Sequence, residues 1–367
     1  MNDLFTPFDL HGLLLPNRIT MSAMTRTRAS ETGVPTDLMR EYYVQRASAG
    51  LIVTECTQVS DQGHGIIRCP GLHRADQVQG WRSVTDAVHA AGGRVYVQLW
   101  HCGRVAHPEM RGGEPPVAPS PLPAEGDFFL PRGRVEFPTP RPLRLEEIPP
   151  IIESFAQATR NARDAGFDGV ELHGANGYLQ DQFLEDGSNH RTDAYGGSVA
   201  NRARLMVETA EAMIAAWSAE RVGVRLSPSS SLYGMKDSDA RATFGHVVSA
   251  LDRLRVGYLT LLEPNAKDAK KGVQIEHVVE TLRPYTSRPI IVNTGFDKKK
   301  GNEAVAGGAV DLVAYGVPYI ANPDLVERFE VDAPLNQPDP ATFYGEGPKG
   351  YTDYPALPRK EREPRNG

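Results

Sequence analysis

Val170-Glu171-Leu172-His173-Gly174-Ala175-Asn176-Gly177-Tyr178-Leu179 begins as an apolar strand and ends in a glycine-punctuated turn. The turn delivers three polar side chains, His173, Asn176 and Tyr178, within six residues. Two of them can donate hydrogen bonds to one small polar group, and the third carries a phenolic proton. Parallel barrels gather their chemistry at the C-terminal ends of their strands, so a strand that ends in such a cluster points to a barrel enzyme.

Seven further apolar segments accompany this one along the chain. Together the eight are Arg18–Met21, Leu51–Glu55, Arg94–Leu99, Asp168–Leu172, Val222–Leu226, Tyr258–Leu262, Pro289–Asn293 and Asp311–Tyr315. Most are near-continuous apolar runs, as in parallel strands covered by helices. Helical periodicity fills the gaps, over Leu38–Ala49, Gln77–Ala91, Glu146–Ala165, Val199–Ala216, Asp239–Leu254, Gln274–Leu282 and Lys299–Ala306. Ala49-Gly50, Ala91-Gly92 and Ala165-Gly166 suit left-handed helix ends. Strand alternating with helix predicts an α/β fold, a (β/α)8 TIM barrel. Residues 1–356 are expected to form it as one domain, with residues 357–367, rich in Pro and charge, as a flexible C-terminal tail.

One connection is too long for a plain crossover. Cys102–Leu143 lacks clear periodicity and is rich in Pro and Gly. Loops of this size are usually functional, and this one follows the third strand, so about residues 103–143 are expected to lie over the barrel mouth as a lid. Phe128, Phe129 and Phe137 within it want a surface to pack on.

Composition narrows the function classes. The 367 residues carry a net charge of −6, and no basic run interleaves with aromatics, so no nucleic-acid partner is implied. Apolar runs are strand-sized, which argues against a spanning helix, and Met1–Leu15 has no basic segment leading into an apolar one. Cytoplasmic residence, no membrane partner, a small-molecule substrate and a monomer or small homo-oligomer are the expectation. The three cysteines Cys56, Cys69 and Cys102 form no CxxC and are read as reduced thiols; no metal site is expected.

The remaining strand ends read as a set. Ser22-Ala23-Met24-Thr25-Arg26 follows strand one, Glu55-Cys56-Thr57 strand two, and Gln98-Leu99-Trp100-His101 strand three. Arg225-Leu226-Ser227-Pro228, Asn293-Thr294-Gly295-Phe296 and Tyr315-Gly316-Val317 end strands five, seven and eight. The last two lie where barrels commonly bind phosphate. A hydroxyl, an amide, a cation and a phosphate cradle suit a flat, polar-edged cofactor with a phosphate tail.

With these residues the chain resembles the old yellow enzyme family of FMN-dependent ene-reductases. The matching words include Leu38-Met39-Arg40-Glu41-Tyr42-Tyr43, Val97-Gln98-Leu99-Trp100-His101, Asn189-His190-Arg191-Thr192-Asp193-Ala194-Tyr195-Gly196-Gly197-Ser198, Ile320-Ala321-Asn322-Pro323-Asp324-Leu325 and Gly350-Tyr351-Thr352-Asp353-Tyr354-Pro355. They extend from about residue 3 to 356. The resemblance implies non-covalent FMN, NAD(P)H as hydride donor, and ping-pong reduction of activated alkenes, with nitrate esters or nitro compounds in some relatives. It implies that Thr25 bonds the flavin O4, Gln98 the pyrimidine edge, and Arg225 the N1–O2 side. Thr294, Gly295, Gly316 and Val317 would flank the phosphate. His173 and Asn176 would donate to a substrate oxygen and Tyr178 would protonate carbon. Trp100 and Ile66 would line the pocket, and Tyr344 would fold back over it; His101 would brace the lid.

Three positions depart from the family. Val317 stands where an Arg often grips the phosphate, Ile66 where a pocket Tyr is common, and Cys56 where Gly or Ala lies near the flavin. Lys298-Lys299-Lys300 could supply the missing cation. A flavin-binding protein without turnover is one alternative reading, and another FMN barrel reductase is a second. The dienoyl-CoA reductase and amine dehydrogenase kind would need an extra domain and a cysteine cluster that this chain lacks. A branch with Cys at the first strand end would need it where Thr25 stands, and a Schiff-base aldolase would need a strand-end Lys.

Overall fold

The computed structural model describes residues 2–130 and 132–358. Eight parallel strands close into a barrel in chain order, the eighth pairing with the first. They are β1 (Ile19–Met21), β2 (Leu51–Gln58), β3 (Val95–Trp100), β4 (Gly169–Gly174), β5 (Val222–Leu226), β6 (Tyr258–Leu262), β7 (Ile290–Asn293) and β8 (Leu312–Tyr315). All eight apolar segments of the sequence are therefore strands of one (β/α)8 barrel. Nearly every strand residue is buried, because helices cover the outside and side chains fill the inside.

Register decides which side chains meet. Gln98 of β3 lies opposite both Cys56 of β2 and Glu171 of β4, and His173 lies opposite Arg225 of β5. The β2–β3 register shifts between Val53 and Cys56. Such a bulge re-aims side chains beside active sites. At the other end, Tyr96 and Tyr258 fill the barrel interior with ring centroids 5.8 Å apart. Gly169 and Gly223 make room for them, since a Cβ on either would meet a ring carbon at 2.2 Å. A hairpin absent from the sequence reading, Phe8–Leu10 with Leu13–Leu15, closes this floor by burying Leu10 and Leu15 against it. Its turn uses left-handed His11 and Gly12, with the Gly12 N–H donating to Asp9 Oδ1 at 2.6 Å.

The helices are α1 (Asp37–Val44), α2 (Ala75–Ala90), α3 (Ile148–Asp164), α4 (Leu179–Leu184), α5 (Val199–Ala216), α6 (Ala240–Arg253), α7 (Ala266–Lys271), α8 (Val278–Leu282), α9 (Lys298–Ala306), α10 (Val317–Ala321) and α11 (Leu325–Glu330). Side-chain oxygens of Thr36, Ser198, Asp239 and Asp297 cap α1, α5, α6 and α9. Two sequence expectations need correction. The first helix stops at Val44, not Ala49, and Arg46 beyond it is buried, donating to the carbonyls of Tyr319 and Ile320. Gly50 is therefore no helix end; a Cβ there would strike the Asn17 carbonyl oxygen at 2.1 Å. Gly92 and Gly166 do take left-handed conformations. The helix expected over Gln274–Leu282 is only Val278–Leu282, because Gln274 and Ile275 are tied to Asp237 and Ser229 instead.

The long segment after β3 is partly structured. It carries a hairpin, Asp127–Leu130 with Gly133–Glu136, and a parallel bridge between Val117–Ala118 and Arg141–Pro142. Phe128 and Phe137 are buried in a cluster with Trp100 and Tyr178, whereas Phe129 faces outward. The C-terminal segment docks on the barrel mouth through two buried guanidiniums. Arg26 and Arg28 donate to the carbonyls of Phe343, Thr342, Lys349 and Gly350, and Tyr351 stacks on Tyr42 with centroids 4.0 Å apart. This docking extends into the expected tail: the Leu357 N–H donates to Asp324 Oδ2 at 2.6 Å. The rest of that tail, residues 359–367, lies outside the described residues. None of the described helices is long and apolar enough to cross a membrane.

Candidate active site

The turn after β4 is built by two consecutive left-handed residues, Asn176 (φ 60°) and Gly177 (φ 75°). The Asn176 N–H donates to Ser227 Oγ at 2.7 Å, and the Gly177 N–H to Asp181 Oδ2 at 2.8 Å. Both anchors were absent from the site expected of the sequence, although Ser227 directly follows β5. Tyr178 then begins α4 at its N-terminal boundary. Its ring meets Trp100 edge-on at 5.1 Å and His173 edge-on at 5.0 Å. His173 and Tyr178 of the opening stretch thus meet beside Trp100, with Asn176 in the turn between them.

His173 is buried, and its Nδ1 has no partner among the described residues. Burial, then the Arg225 charge, holds its pKa well below the ordinary imidazole range. A neutral imidazole with a free ring nitrogen can serve as a hydrogen-bond donor but not as a cation. Burial raises the Tyr178 phenol well above its usual value. That group is protonated across the physiological range and can act only as an acid.

Next to this wall lies a polar layer. Cys56 Sγ donates to Gln98 Oε1 at 3.2 Å, Gln98 Nε2 to Glu171 Oε1 at 2.7 Å, and Thr260 Oγ1 to Glu171 Oε2 at 2.7 Å. Burial pushes the Cys56 thiol up to about 12, with a bond to Thr25 pulling the other way. Cys56 is therefore a contact between Thr25 and Gln98, not a nucleophile. Arg225 donates to Ser22 Oγ at 3.2 Å and to Asn293 Oδ1 at 3.0 Å, leaving further N–H groups free. Glu171 offsets its charge, which the sequence reading missed. The visible signal was a single acid inside an apolar run.

Thr25 and Gln98 lie in contact with Cys56, and Arg225 is close enough to feel Cys56 and Glu171 electrostatically. Thr294 (φ 85°) and Gly295 (φ 79°) turn the backbone after β7, and nothing lies within 4 Å of a Cβ placed on Gly295. Gly316 is open as well, its Cβ direction meeting only Met24 and Ser22 at 3.6 Å or more. A hydroxyl, an amide and a cation at one end and open backbone turns at the other fit FMN. Val317 is 51% exposed and supplies no charge. Of the three lysines, Lys298 is bound to Asp332 at 2.6 Å and Lys299 leans toward Glu303. Lys300 alone approaches the turn, its Nζ 3.5 Å from the Gly295 carbonyl oxygen.

Other expected residues fall around the pocket. Trp100 is fully buried with its indole N–H unpartnered, and Ile66 packs against the same cluster. His101 lies behind them, its Nδ1 accepting from the Gly103 N–H at 3.1 Å; burial pushes its pKa down to about 3. Tyr344, expected to fold back over the site, stands at its rim. It is 66% exposed, close enough to influence Tyr178 and Tyr233 electrostatically. Its neighbours are held by Arg26, Arg28 and Thr27, which fixes it at the rim. Tyr233, unmentioned in the sequence reading, packs beside Tyr178 at 6.2 Å between centroids.

Known proteins with this arrangement are close at hand. A sequence model of the NADH:flavin oxidoreductase / NADH oxidase family matches residues 3–336. The chain is 41% identical over 367 residues to 12-oxophytodienoate reductase 1 of Oryza sativa subsp. japonica, covering 99% of this chain and 95% of the rice protein. Among solved structures, a morphinone reductase variant in complex with tetrahydroNAD superposes with a TM-score of 0.93 at 43% identity, covering 98% of this chain and 99% of that one. The old yellow enzyme homologue from Zymomonas mobilis gives a TM-score of 0.93 at 41% identity, covering 97% of this chain and 100% of that one. With the barrel, the polar layer and the His173–Asn176–Tyr178 turn all in place, the chain belongs to the old yellow enzyme family of NAD(P)H-dependent flavin oxidoreductases.

Proposed function

We propose that the protein reduces the C=C bond of activated alkenes, namely enones, enals, nitroalkenes and maleimides, with hydride drawn from NAD(P)H. The same pocket would accept nitrate esters and nitroaromatics. Bound FMN would supply a two-electron carrier that takes hydride from the nicotinamide and hands it to the alkene. Thr25, Gln98 and Arg225 would hold the ring, and Thr294, Gly295 and Gly316 the phosphate end. One pocket then serves both reactants, which requires a ping-pong order.

The observation that carries this reading is the packing of the His173 ring, whose Nδ1 has no partner among the described residues, edge-on against the Tyr178 ring with centroids 5.0 Å apart. Neutral His173 and Asn176 would donate to the substrate oxygen and stabilise the charge that develops there. Tyr178 would deliver a proton to the carbon on the other face. The segment 103–143 would act as a lid, since its Phe128 and Phe137 already pack into the cluster that holds Tyr178. Stopped-flow reoxidation of the NADPH-reduced protein by a panel of enones, nitroalkenes and nitrate esters tests the reading. Rapid reoxidation by enones is expected; a flavin that NADPH bleaches but no alkene reoxidises would refute it.

A further inference from the structure

The loop after β5 carries a bulky residue in a backbone conformation that favours glycine. Tyr233 has φ 59° and ψ 24°, and Gly234 beside it has φ 78°. A side chain held this way needs surroundings that over-determine it, and such strain clusters at functional sites. Three contacts from the segment after β3 supply the hold. The Glu125 N–H donates to the Tyr233 carbonyl at 3.1 Å, Arg104 Nη2 donates to the same oxygen at 3.2 Å, and Phe137 meets the ring edge-on at 5.6 Å. The effect is to bring a second phenol to the first. The ring centroids of Tyr233 and Tyr178 lie 6.2 Å apart at 55°, and Tyr178 is close enough to act on the Tyr233 hydroxyl.

We propose that Tyr233 is a positioning residue for Tyr178 and relays to it, from solvent, the proton that Tyr178 gives to the substrate. The inference rests on the alkene-reductase reading above. In the step, the Tyr178 O–H bond breaks as a C–H bond forms at the substrate carbon, and Tyr178 is left as phenolate. The Tyr233 O–H bond then breaks as the Tyr178 O–H bond re-forms, and water or a buffer acid returns a proton to Tyr233. The electron pair of the reduction comes from NAD(P)H by way of the bound flavin, so one solvent proton is consumed per alkene.

The surroundings of Tyr233 suit this role. Burial raises both phenols, so each is protonated at neutral pH and Tyr233 has a proton to give to a Tyr178 phenolate. The groups that face Tyr233 are Tyr178 and Tyr344, the Cys56 thiol, the Arg104 guanidinium on its carbonyl, and Glu125, whose side chain packs against Gly234. The Cys56 thiol, pushed up by burial to about 12, keeps its own proton at neutral pH. Tyr233 is only partly buried, and its neighbours Leu232 and Tyr344 are exposed, which gives water a path to it.

The test uses the FMN-loaded full chain and Tyr233→Phe, followed by stopped-flow reoxidation with 2-cyclohexenone in H2O and D2O. We expect reoxidation to slow about 10-fold, less than loss of the acid itself, with a changed solvent isotope effect. FMN content, affinity for a phenol ligand and reduction by NADPH should stay at the wild-type level. Tyr178→Phe/Tyr233→Phe should react no more slowly than Tyr178→Phe alone, since the two act in series. An unchanged rate and isotope effect in Tyr233→Phe would overturn the relay alone. So would equal losses in phenol binding and NADPH reduction, which mark a packing residue, or a further loss in the double variant. A wild-type flavin that enones fail to reoxidise would overturn the relay together with the function it serves.

Discussion

At the scale of single residues, neutrality is the theme. His173 sits in register with Arg225 and is buried, so it stays uncharged, and in the proposed reaction it would act through a hydrogen bond. Replacing His173 and Asn176 together by Ala should abolish tight binding of phenol-type ligands and slow alkene reduction. Losing one such donor costs roughly 2.7–4 kcal/mol, and two should cost at least that. Titrating the oxidised protein with a phenol checks it; unchanged affinity would exclude the donor role. Tyr178→Phe should cut reoxidation by enones by about 10²–10⁴-fold and leave reduction by NADPH nearly intact. Nitrate esters, which need no carbon protonation, should suffer less. Stopped-flow of both half-reactions separates this outcome from a uniform loss, which would make Tyr178 a packing residue. The cluster itself was legible because three polar side chains end one apolar run. What supports them was not: Ser227, Asp181 and Glu171 act through bonds to backbone or to distant strands, and no local spacing announces such partners.

At the scale of elements, the barrel strands were the easiest to read, because burial on both faces leaves continuous apolar runs. The hairpin over Phe8–Leu15 escaped because three-residue strands carry too little pattern. Helix ends shifted where tertiary contacts overrode local preference, as at Arg46, which trades helical continuation for two carbonyls of α10. Tyr233 escaped for the same reason: its conformation is imposed by the segment after β3, not by its own neighbours. The ends of β7 and β8 give a prediction of their own. Val317 brings no cation, and Lys300 is the nearest of the lysines to the Gly295 turn. A charge-assisted hydrogen bond contributes about 1.5–3 kcal/mol, or roughly 10- to 100-fold in affinity. Val317→Arg should therefore tighten FMN by about that factor, and Lys300→Ala should loosen it by less, because an exposed charge is screened by solvent. FMN release followed by fluorescence decides between them. Unchanged release in both variants would mean that backbone N–H groups alone neutralise the phosphate.

At the scale of the whole molecule, buried titratable groups set opposing slopes on stability. Burial pushes Glu55 and Asp181 up to about 7 and raises Glu185 as well. A carboxyl with a raised pKa binds its proton more tightly folded than unfolded, so its contribution falls as pH rises from the ordinary carboxylate range to 7. His101, pushed down to about 3, and His173 act in reverse: their unfolded forms gain a proton that the folded forms refuse, so stability falls as pH drops below about 6.5. Between about pH 4.5 and 6.5 the two sets oppose one another and flatten the curve. Glu55→Gln removes one member from one side. Glu55 accepts from the Arg26 N–H at 3.2 Å and from the Tyr43 hydroxyl at 3.3 Å, and an amide of the same shape can keep the first of these bonds. The shift from 4.5 to about 7 corresponds to about 3 kcal/mol of cost above pH 7 and none below 4.5. The variant and the parent should therefore unfold alike in urea at pH 4.5. At pH 8 the variant should be the more stable by up to about 3 kcal/mol, or a few degrees in Tm. Equal stability at both pH values would mean that the Arg26 and Arg28 guanidiniums compensate the carboxylate fully, and that burial does not dominate at Glu55.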